Sequence, residues 1–134
     1  MRSATPFQHR AAVGLTEAAV REVISAFYKK VRQDTVLGPV FAEAIRNDWA
    51  PHIEKINQFW LKATRLGTGY DTARFLPAHM QHFSIRADQI PRWLELFRET
   101  TAEHCSPAAA AVLVDIAVRM AETIEIGLAR RDRQ

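Results

Sequence analysis

Apolar positions along this chain recur at helical spacing and nowhere alternate long enough to suggest a strand, so the pattern predicts an all-α fold packed helix on helix. Val20, Val23, Ile24, Phe27, Tyr28 and Val31 share one face of a helix that starts at Thr16-Glu17. Gly38-Pro39 is expected to break that helix and turn the chain, with Val40 and Phe41 opening a short helical piece. Asp48 is placed to cap a third helix with Pro51 in its first turn, where His52, Ile56, Phe59, Trp60 and Ala63 form a stripe that Gly67-Thr-Gly69 ends. A loop from 67 to 76 leads into a short helical segment with Phe75, His79 and Phe83 at four-residue spacing, and a second loop covers Ser84 to Asp88. The next helix carries Ile90, Trp93, Leu94, Phe97 and Thr101. Ser106-Pro107 then starts a long last helix whose inner stripe is Ala109, Val112, Leu113, Ile116, Ala117, Met120 and Ile124.

The length of 134 residues suits one domain, placed at residues 16–130, with an N-terminal arm or short helix at 1–15 and a basic tail at 131–134. No run of about 18 apolar residues could span a bilayer, and the N-terminus lacks the apolar core of a secretion signal, so a cytoplasmic protein is expected. Cys105 stands alone, which excludes an internal disulfide and a thiolate metal cluster and leaves it as a buried, inert thiol. The net charge of +3 comes from scattered basic residues, with one cluster, Arg130-Arg131-Asp-Arg133, at a helix C-terminus where cations are favoured anyway. That distribution speaks against a nucleic-acid interface.

The chemistry-bearing residues are aromatic and imidazole. A porphyrin iron needs one protein nitrogen, apolar walls and a few polar groups facing the ligand. His52, His79 and His82 are the histidines that fall on helical segments with aromatic neighbours, and on spacing alone each also suits a core histidine. Tyr28 and Trp93 each pair an apolar body with a strong donor that seeks a partner when buried.

Taken in order, Phe27-Tyr28-Lys-Lys-Val-Arg32, Leu37-Gly-Pro-Val-Phe41, Trp49-Ala-Pro-His52, Phe59-Trp60, Leu66-Gly67, His79 and Arg92-Trp93-Leu-x-Leu-Phe97 resemble the group III truncated haemoglobins over residues 17 to 101. That resemblance implies a truncated globin, a two-over-two helical sandwich around haem (iron protoporphyrin IX). It implies His79 as the iron ligand, Tyr28 and Trp93 as distal donors, His52 as a distal residue that swings to admit ligand, and Phe41 stacked on the porphyrin. Phe27, Phe59, Trp60, Phe75 and Phe83 would complete the apolar walls, with Lys55 as a propionate partner. The loop after Tyr70 and the Gln81-His82-Phe83 stretch depart from the family pattern.

Function then divides into readings of different kinds. One is reversible binding of oxygen, nitric oxide or carbon monoxide coupled to nitric oxide dioxygenation or peroxidase-like chemistry, supplied by a reductase. A second is oxygen transport, or carriage or sensing without turnover. A third, supported by the basic pI of 9.4 alone, is a haem-free helical interaction module.

Overall fold

A computed structural model of the protein describes residues 14–47, 49–64 and 86–132. Five helices carry the described chain: α1 (Glu17–Gln33), α2 (Leu37–Ile45), α3 (Trp49–Ala63), α4 (Ile90–His104) and α5 (Pro107–Asp132). Among the described residues there is no strand, and the all-α expectation stands. Helix α1 packs on α2, α3 and α4, and α4 packs on α5, which gives the two-over-two arrangement.

Local chemistry sets most boundaries. Thr16 caps α1, its hydroxyl accepting from the Ala19 N–H at 3.1 Å, and Ser106 does the same for α5 through the Ala109 N–H at 3.2 Å. The apolar stripe of α1 is buried in full, and Leu15, just ahead of the cap, joins the same core. Helix α5 buries Ala109, Leu113 and Ala117 of the expected stripe, leaves Val112, Ile116, Met120 and Ile124 half-buried against the core, and adds Ala121 and Leu128. It continues to Asp132, into the stretch expected as a tail.

Two boundaries differ from the sequence reading. The break between α1 and α2 falls at Asp34, not at Gly38-Pro39, and both of those residues lie in the first turn of α2. Proline is tolerated there because first-turn N–H groups have no intrahelical acceptor. Gly38 answers a different need, since a Cβ at that position would stand 3.0 Å from the Arg32 carbonyl oxygen, so the α1–α2 corner is tight. The loop expected through Asp88 is also shorter, because Ala87–Gln89 forms a 3-10 turn that runs directly into α4.

Asp34 locks this corner. Its side chain is 4% exposed and accepts from the Val36 and Leu37 N–H groups at 3.1 and 2.9 Å, and from Arg92 Nε and Nη2 at 2.9 and 2.6 Å. Burial alone would push this carboxyl up; the Arg92 and backbone hydrogen bonds, with the charge of Arg92, outweigh it and hold Asp34 below the usual aspartate range. The clamp ties the end of α1 and the start of α2 to the first turn of α4.

Candidate haem pocket

Phe27 organises the site. It is 1% exposed and meets three rings edge-on: Tyr28 at 5.4 Å, Trp93 at 5.7 Å and Phe97 at 5.2 Å between centroids. Behind it, Phe97 is sandwiched between stacked rings, with Trp60 of α3 at 5.0 Å and Trp93 at 5.9 Å. This rigid aromatic block brings Tyr28 of α1 and Trp93 of α4 to one place, although they are far apart in sequence.

Tyr28 faces a second ring of aromatic groups. Phe41 lies at 6.0 Å, Trp49 at 6.3 Å and His52 at 6.0 Å, all edge-on. His52 is half-buried in the first turn of α3, one turn after Trp49 on the same side. The sequence alone singles out His52 and not Trp49, although their three-residue spacing signals that both share a helix face. Neither the Tyr28 hydroxyl nor the Trp93 indole N–H donates to a described residue. Burial pushes the Tyr28 phenol well above its ordinary value, so it keeps its proton and stays a donor.

Phe59 is buried and meets Trp60 edge-on at 6.1 Å, while Lys55 is exposed on α3. Phe75, His79, His82 and Phe83 lie outside the described residues, as does the Asp48 cap. Cys105 is half-buried, and burial first, then the neighbouring Glu22, raises its thiol, consistent with an inert role.

No family model matches the chain. It is 32% identical over 89 residues to the group 3 truncated haemoglobin ctb of Campylobacter jejuni, an alignment covering 64% of this chain and 69% of that protein. The chain belongs to the group III truncated haemoglobins. The crystal structure of a group III truncated haemoglobin from Campylobacter jejuni superposes with a TM-score of 0.75 and 28% identity, covering 84% of this globin and 91% of that chain. Family membership supports a globin that binds haem and, through it, diatomic gases.

The described residues fit such a group. The buried residues Tyr28 and Trp93 and the edge-on aromatic walls at Phe41 and Trp49 suit a flat apolar cofactor carrying a small polar ligand. No described helix is long and apolar enough to cross a membrane.

Proposed function

We propose that this globin holds haem through His79 and uses Tyr28 and Trp93 to bind a diatomic ligand tightly enough for chemistry on it, in nitric oxide dioxygenation or peroxide turnover. The observation that carries this reading is that Tyr28 and Trp93, both buried residues, meet Phe27 edge-on at 5.4 and 5.7 Å. Haem, when bound, supplies an iron that takes the diatomic ligand and shifts electron density onto it.

The chain's own residues then act by position. The Tyr28 hydroxyl and Trp93 N–H would serve as fixed donors to a developing negative charge, and donors already in place cost no reorganisation. Phe41 and Trp49 wall the site beside Tyr28. His52 stands at its half-buried edge, in the place of a residue that admits ligand. Hydrogen bonds to a charged acceptor contribute roughly 1.5 to 3 kcal/mol each, or about ten- to a hundredfold in affinity. Two such bonds slow oxygen release, which suits turnover more than delivery. Turnover requires electrons, which a partner reductase would provide.

The test is oxygen dissociation from the ferrous protein in Tyr28→Phe and Trp93→Phe. Each substitution should speed release about ten- to a hundredfold. Unchanged rates would overturn the donor assignment. Repeated consumption of nitric oxide or peroxide with a reductant present supports the enzyme, whereas a single stoichiometric binding event would favour a carrier or sensor.

A further inference from the structure

The outward side of α1 carries a feature that the ligand site does not use. Between α1 and the start of α3 lies a cleft of about 460 Å³ lined by Ser25, Tyr28, Lys29, Arg32, Gln33 and Ile53. Tyr28 is its buried member, and Ser25, Lys29, Arg32 and Gln33 stand exposed along its α1 side. The cleft therefore joins solvent to the same tyrosine that faces Phe41 and His52.

Its charge is unbalanced. Other cations of α1 are matched by acids: Arg21 by Glu17 at 3.6 Å and Glu54 at 2.9 Å, and Lys30 by Glu99 and Glu103, both at 3.1 Å. Lys29 and Arg32 have no acidic partner among the described residues. Glu54, next to Ile53 in the chain, is taken by Arg21 and by the Gln58 amide at 2.8 Å. The Arg32 guanidinium rests over the Trp49 ring, 4.4 Å from its centroid. Two cations one helical turn apart in one cleft raise the local concentration of anions and speed their arrival.

We propose that this cleft binds a small inorganic monoanion of the nitrate class, held by Lys29 and Arg32 with the Ser25 hydroxyl, beside Tyr28. That the anion travels between this cleft and the ligand site rests on the function proposed above. The binding itself rests on the cleft alone. Nitrate is the product class of nitric oxide oxidation, so the cleft gives that product a favourable way out.

The experiment is a titration of the full chain, isotope-labelled and in its ferrous carbon monoxide form, with sodium nitrate at constant ionic strength, followed by amide and indole NMR shifts. With carbon monoxide on the iron, the readout reports the cleft. Saturable shifts should be confined to Ser25, Lys29, Arg32, Gln33, Ile53 and the Trp49 indole. Lys29→Gln and Arg32→Gln should each weaken nitrate binding by roughly three- to tenfold, since each removes a charge-assisted contact at a partly hydrated site. Arg32→Lys should retain most of the affinity. Lys30→Gln, which removes the same charge from an ion-paired neighbour, should leave it unchanged. Shifts spread over all basic surfaces, or an equal loss in Lys30→Gln, would overturn the proposal. A chain that takes no haem would sink the function proposed above, and the same titration on that chain would still decide the cleft. A normal carbon monoxide spectrum without saturable nitrate shifts would sink the cleft alone.

Discussion

Replacing Asp34 by asparagine removes one charge and no volume, and its cost can be worked from the clamp. Four donors converge on this carboxylate, two from Arg92 and two from the backbone at Val36 and Leu37. An asparagine retains one oxygen for the backbone but turns a donor toward Arg92 or leaves it without a charged acceptor. Breaking a fully buried ion pair from one side costs about 3 to 5 kcal/mol. Here the Arg92 side chain is 37% exposed and recovers part of its hydration, so we expect about 2 to 3 kcal/mol. For a domain of this size that is a fall in Tm of about 8 °C.

The pH dependence gives a second check. The folded carboxyl is held below its unfolded value, so the clamp's contribution is full above an unfolded pKa of about 3.9 and is lost as pH falls through the lower folded value. The wild-type advantage over Asp34→Asn should be constant from about pH 5 to 8 and close below about pH 4. Thermal melts across that range measure it, with Arg92→Gln and the double variant completing a cycle in which the double costs less than the sum. A Tm within about 1 °C of wild type at pH 7, or a gap that persists undiminished into acid, would refute the clamp.

Other predictions concern single positions. Arg46 closes α2 with φ of 57° and ψ of −114°, a conformation that glycine adopts freely, so Arg46→Gly should raise stability by about 1 kcal/mol, measured by denaturant melts. Gly38→Ala should lower Tm, because its Cβ meets the rigid Arg32 carbonyl at 3.0 Å; an unchanged Tm would show that the corner yields. Phe97→Ala removes a ring stacked between Trp60 and Trp93 and should cost about 3 to 5 kcal/mol in the same assay. The Tyr28 phenol is raised by burial, so its contribution is full below an unfolded pKa of about 10 and is lost as pH climbs toward the folded value. Tyr28→Phe should therefore reduce the loss of stability seen above about pH 10.

What the sequence made legible follows from the range of each interaction. The α1 stripe, the Thr16 and Ser106 caps and the α5 stripe depend on residues within a few positions, and periodicity exposes them. Pairing Tyr28 with Trp93 came from resemblance, because nothing local places α1 against α4. The Asp34–Arg92 clamp spans 58 residues and left no local trace, and without it Gly38-Pro39 is the strongest breaker signal at that corner. Leu96 is buried beside the expected stripe of α4 because that helix packs against both α1 and α5. Likewise, the cleft beside Tyr28 follows from which cations of α1 find acids on α3 and α4, a matter of tertiary placement.

On the function proposed above, the Tyr28–Trp93 site is the distal side of a haem held by His79. Its most direct test is the visible absorption spectrum of the haem-reconstituted protein beside its His79→Ala variant. The wild type should show an intense Soret band that is weakened or shifted in the variant. No band in either protein, or the same band in both, would contradict it.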